Sequence, residues 1–125
     1  PPAQLAWTPA QSSSPNGGIP ANGAPTVLYF RTPEAKGCQA VERDVLPVPS
    51  LQAALQRYNR VVVDLSAPAN KALAERFSIF QTPSLMVLGS DGQVVLRFDG
   101  FVDRADLESD LNQASGRLMG GAGQH

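Results

Sequence analysis

Apolar residues fall along this chain in two alternating rhythms. Residues 26–30 (Thr-Val-Leu-Tyr-Phe) and 60–65 (Arg-Val-Val-Val-Asp-Leu) are short runs rich in β-branched and aromatic side chains, and they predict buried strands. Between them the spacing widens. Cys38, Val41 and Val45 recur at i, i+3 and i+7, one apolar face of a helix, which Pro47 and Pro49 are expected to end. Ser50 is expected to cap a second short helix with Leu51, Ala54, Leu55 and Tyr58 on its buried side. A third helix is predicted over 70–77, with Leu73 and Phe77 one turn apart. Two more apolar runs, 84–88 and 93–98, flank Gly89-Ser90-Asp91-Gly92, a tight-turn signal that makes them an antiparallel hairpin. Asp103, with Asp106 at the third helical position, caps a last helix in which Leu107, Leu111 and Ala114 share a face, and Gly116 is expected to stop it.

The order is thus strand, helix, helix, strand, helix, hairpin, helix. A helical crossover makes the first two strands parallel, and the result is an α/β three-layer sandwich, a central mixed sheet with helices on both faces. The domain is expected over 25–115. Residues 1–24 are rich in Pro, Ala, Ser, Gly and Asn and read as a leader, mostly extended or disordered. Within it, Leu5-Ala6-Trp7 has two readings: a short extended piece that joins a sheet edge and buries the only tryptophan, or part of a mobile leader. Residues 116–125 are expected to form a flexible tail, with His125 inert in it.

A chain of 125 residues that is 42% hydrophobic suits one domain with a real core. Ten basic residues against eleven acidic ones, with no basic cluster, argue against a nucleic-acid partner. One cysteine and one terminal histidine exclude an internal disulfide and a Cys/His metal site. No apolar run approaches the roughly 18 to 20 residues of a membrane helix, so no membrane span is expected in this chain and a monomer is the expected state. The start at Pro1, without methionine, is expected of a mature form or of a domain cut from a longer protein.

The candidate chemistry is one sulfur. Cys38 follows the first strand through Thr32-Pro33-Glu34-Ala35-Lys36-Gly37, and a cysteine near a helix start meets unpaired N–H groups and a dipole that favour thiolate. Its other reading is a small buried apolar group on the Cys38, Val41, Val45 face. Thr32-Pro33-Glu34 is itself a good helix start, which would place Cys38 nearly two turns in, whereas Gly37 favours a later start near Ala35.

On these residues the chain resembles the thioredoxin family over about 25–115. Val27-Leu28-Tyr29-Phe30 is similar to the strand that leads into that family's Cys-x-x-Cys, which puts Ala35 at the first cysteine and Cys38 at the second. Residues 77–84 (Phe-Ser-Ile-Phe-Gln-Thr-Pro-Ser) resemble the segment ending in a cis-proline that faces the active site, and Gly100 matches a glycine before the last helix. The helix at 50–58 is more similar to the periplasmic C-terminal domain of DsbD and related secreted proteins than to short cytoplasmic thioredoxins, and the proline-rich leader fits a domain tethered outside the cytoplasm. This implies an extracytoplasmic place, with a membrane tether in the full-length protein.

The resemblance implies a thiol-disulfide oxidoreductase lineage that needs no cofactor, because the electrons travel in the sulfurs. Its partners are protein thiols and disulfides or a redox partner domain. A cis Thr82-Pro83 bond would leave the Thr82 backbone free to pair with an extended peptide. Lys36 and Gly37 complete the loop, where Lys36 is either a thiol-activating cation or a solvated surface group. Asp64 is expected to be a strand-end or capping residue. Two departures matter: Ala35 stands where the family has its attacking cysteine, and Tyr29 where many members bury an acid. Three readings stay open: a dithiol Cys-Lys-Gly-Cys enzyme in which Ala35 replaces the cysteine by engineering, a redox-inactive peptide- or partner-binding module, and a monothiol redox sensor.

Overall fold

The computed structural model describes residues 7–10, 19, 22–100 and 102–119. Its strands are β1 (Thr8–Pro9), β2 (Thr26–Arg31), β3 (Asn59–Asp64), β4 (Ser84–Leu88) and β5 (Val94–Asp99). Its helices are α1 (Lys36–Asp44), α2 (Pro49–Leu55), α3 (Lys71–Arg76) and α4 (Arg104–Met119), with a 3-10 turn, Pro68–Asn70, leading into α3. The five strands form one mixed sheet in the order β1-β3-β2-β4-β5. β2 runs parallel to β3, with Leu28 opposite Val61, and antiparallel to β4, with Leu28 opposite Met86.

Alternation along β2 divides the core. Val27 and Tyr29 point with Leu85 and Val87 of β4 to the side covered by α1, α2 and α4, where Val41, Leu51, Leu107 and Leu111 pack. Leu28 and Phe30 point with Val61, Val63, Met86 and Leu88 to the side covered by α3, against Leu73 and Phe77. β2 is buried from Thr26 to Phe30 because both of its faces are covered and both of its edges are paired. That makes it a fixed base for the loop that follows.

The expected element order holds, as do the helical faces at Cys38, Val41, Val45 and at Leu107, Leu111, Ala114, all of them buried. The Asp103 carboxylate accepts from the Ala105 and Asp106 amides, as a cap should. Gly92 takes φ +84 in the hairpin turn, a conformation that favours glycine.

Three expectations need correction. Pro49 does not end α1; it opens α2, where its missing N–H is one that a first turn leaves unpaired anyway. Ser50 is therefore inside α2 and caps nothing; its hydroxyl bonds Glu108 of α4 at 2.6 Å. Gly116 does not stop α4, which runs on to Met119. Gly116 has no positive φ with which to end the helix, and glycine inside a helix costs only about 1 kcal/mol.

The edge strand in the leader lies at Thr8–Pro9, one residue after Trp7 and parallel to β3. Trp7 is half-buried, its ring edge-on to Tyr29 at 6.0 Å between centroids, while Leu5, Ala6 and His125 lie outside the described residues. No helix among the described residues is long and apolar enough to cross a membrane.

Candidate functional site

The site is built where β2 empties toward α1. A turn closed by the Ala35 amide on the Thr32 carbonyl (3.0 Å) delivers the chain to the helix, and Ala35 is the N-cap residue, with extended backbone and no side-chain cap. The helix thus takes the later of the two starts, and Cys38 is its third residue, one turn in. Its side chain is 0% exposed, and its Sγ accepts the Thr32 amide at 3.4 Å. Lys36 is exposed, while Ala35 and Gly37 are half-buried.

The facing wall comes from the loop between α3 and β4. The Thr82-Pro83 peptide bond is cis. Pro83 lies so close to the first turn of α1 that a Cβ on Gly37 would sit 3.0 Å from the proline Cδ, a contact tight enough that Pro83 would have to give way by a few tenths of an ångström. The Thr82 hydroxyl meets the Thr32 hydroxyl at 3.0 Å, tying this loop to the one after β2. Gly100, at φ +89, returns its amide to the Pro83 carbonyl at 2.8 Å. Among the described residues no backbone partner meets Thr82 itself. The structure therefore gathers Ala35, Lys36, Gly37 and Cys38 on one side and Thr82 with Pro83 on the other.

Beneath the loop lies a charged network that the sequence reading did not name. Glu42, one turn after Cys38 on α1, accepts the Tyr29 phenol at 2.8 Å and a two-pronged hold from Arg31, Nε at 2.6 Å and Nη2 at 3.2 Å. Arg31 also reaches Asp64 Oδ2 at 3.2 Å. Burial, then the bond to Glu42, pushes the Tyr29 phenol far above its ordinary value, so the ring stays neutral. The Arg31 guanidinium is raised in turn by its bond to Glu42. Asp64 is held below the usual carboxylate range, first by the Ser66 hydroxyl and further by the Arg31 charge. Its Oδ1 accepts from both the amide and the hydroxyl of Ser66, closing the turn after β3 as expected of a strand-end residue. The signal that could have found Glu42 is its i+4 spacing from Cys38, which puts both on the side of α1 that faces β2.

Beside the network a cleft of about 280 Å³ opens between β2 and the α1–α2 connection, with Trp7, Tyr29, Arg31, Glu42 and Leu55 in its walls; Cys38 does not line it. Among the described residues no three potential ligands cluster to hold a metal ion.

A family model for a thioredoxin-like domain matches residues 18–115. The chain belongs to that thioredoxin-like family. It is 32% identical over 114 residues to a thiol:disulfide interchange protein, DsbD 1, of Pseudomonas aeruginosa. The match covers 88% of this chain, which spans only 19% of that relative's length. Among solved structures, a thioredoxin from Thermus thermophilus superposes with a TM-score of 0.73 over 97% of each chain at 21% identity, which shows the fold. The C-terminal domain of DsbD from Neisseria meningitidis, in its oxidised form, superposes with a TM-score of 0.60 at 25% identity, covering 72% of this chain and 79% of that one. This thioredoxin-like domain is therefore related to the DsbD thiol:disulfide interchange proteins, and it carries one cysteine.

Proposed function

We propose that this chain is a domain of the thiol-disulfide oxidoreductase lineage with Cys38 at the resolving position and Ala35 at the position of the attacking cysteine. It holds partner segments in the groove beside Pro83 but does not turn over by itself. The setting of Cys38 carries this reading: a wholly buried thiol in the first turn of α1, its sulfur bonded to the Thr32 amide behind Ala35. A buried sulfur suits a thiol that waits for an intramolecular disulfide and does not suit a monothiol sensor, which must meet its oxidant.

With a cysteine at 35 the chemistry would balance within the loop. The residue 35 thiolate would attack a substrate disulfide, forming a mixed disulfide and expelling one substrate thiolate. The Cys38 thiolate would then attack the residue 35 sulfur, releasing the second substrate thiol, and the domain would end oxidised by two electrons. Ala35 removes the first step, in keeping with a Cys-Lys-Gly-Cys enzyme disarmed by substitution. The likeness to the DsbD domains supports a place outside the cytoplasm, working on protein disulfides or on a redox partner domain.

The test is the reduction potential and disulfide-reductase turnover of the Ala35→Cys variant in glutathione or dithiothreitol buffers. A defined potential within about −120 to −270 mV, with turnover, supports the lineage. A disulfide that fails to form, or forms without turnover, rejects it. That result would favour a second reading, a redox-inactive binding module, for which the Thr82 backbone, without a partner among the described residues, is the supporting observation.

A further inference from the structure

The loop that supplies the groove wall also carries an aromatic ring into solvent. Phe80 is 90% exposed, the most exposed large apolar side chain among the described residues. A single such residue needs no explanation by itself; what sets Phe80 apart is how its loop is braced. On one side Arg97 of β5 donates to the carbonyls of Phe77 and Ser78, both at 2.6 Å, and is steadied by Asp99 at 2.8 Å. Ser78 takes φ +55, the left-handed residue with which the chain leaves α3. The Ile79 amide returns to the Ala74 carbonyl at 2.9 Å, and its side chain packs into the core under α3.

On the other side the Gln81 carbonyl accepts the Ser84 hydroxyl at 2.7 Å, and Thr82 is tied to Thr32. Both neighbours of Phe80 are thus held by hydrogen bonds to their backbone while its ring stands in solvent. An aromatic ring held out on a braced loop loses little freedom when it is covered, which is the condition under which one side chain carries a large share of a binding energy.

Position supplies the rest. Phe80 stands two residues before Thr82 on the same loop, which bends at Gln81 and Thr82, and the Thr82 backbone has no partner among the described residues. We propose that Phe80 is the specificity-determining side chain of the groove. It selects extended segments of a partner protein that carry a large apolar side chain flanking the residue that faces Thr82. This rests on the reading of the groove as a peptide-binding surface.

The experiment is an amide NMR titration of the chain with nine-residue peptides, acetylated and amidated at their ends. One is composed of Ser, Thr and Gly, and two derivatives carry Leu or Phe at positions 3 and 7. The expected result is a shift of the Gln81 and Thr82 amides with all three, at least about fivefold tighter binding of the apolar pair, and loss of that preference in Phe80→Ala but not in Phe80→Leu. Equal binding of all peptides at Thr82, unchanged by Phe80→Ala, would overturn the role of Phe80 and leave the groove reading standing. No shift at Thr82 with any peptide would overturn both. Concentration-dependent self-association abolished by Phe80→Ala would assign the ring to a second copy of this chain and overturn the proposal.

Discussion

Tyr29 and Cys38 are neighbours through the helix backbone: the phenol oxygen lies 3.4 Å from the Cys38 carbonyl while it donates to Glu42. The neutral ring is the form the fold favours, so its folded value lies above the unfolded value near 10. The stability it contributes is whole below about pH 10 and is lost as pH rises from there toward the folded value. Urea denaturation at pH 9 and pH 11 should therefore show a larger alkaline loss for the native chain than for Tyr29→Phe. Asp64 works with the opposite sign. Its folded value is depressed, so its contribution is present above about pH 4, the unfolded value, and disappears as pH falls through the folded one; Asp64→Asn should flatten the acid limb of stability. Cys38, wholly buried, should react with a soluble disulfide reagent at least about tenfold more slowly in the folded chain than in urea, measured by release of the chromophore.

At the scale of elements, two side chains hold ends that the core does not reach. Asp103 caps α4, and Asp103→Ala should cost about 1 kcal/mol in urea denaturation. Arg97 joins β5 to the end of α3, and Arg97→Ala should cost about 1–2 kcal/mol while speeding hydrogen exchange at Ile79 far more than in β2. The helices and the hairpin were legible because each reports its own period: Cys38, Val41 and Val45 on α1, and Leu107, Leu111 and Ala114 on α4. The ends were less so. Pro49 reads equally as a stop for one helix and as the start of the next, and only the chain's path between α1 and α2 decides. At the site, Cys38 stood out as the one cysteine after a strand, while the other loop residues and Pro83 were placed by resemblance to the thioredoxin family. The Arg31–Glu42–Asp64 network did not stand out, because its members come from three elements and meet only when β2 lies between α1 and β3.

For the whole molecule, the sheet divides the core into a side under one short helix and a side under three. Phe30 anchors the first, with Phe77 tilted against it at 6.2 Å between ring centroids. Phe30→Ala should cost about 3–5 kcal/mol and unfold both sides together, because β2 is common to them, as coincident fluorescence and circular-dichroism transitions would report. The two margins of the sheet are unlike. On the β1 margin the Ala10 amide turns inward to the Val62 carbonyl, so Pro9, one residue back, faces outward and has no N–H to offer. A new strand arriving there would find no donor where the ladder needs one. The margin formed by β5 has no such stopper, and Val94 and Val95 stand exposed along it. Among the described residues, growth of this sheet by another chain is therefore favoured beside the hairpin over the Pro9 edge.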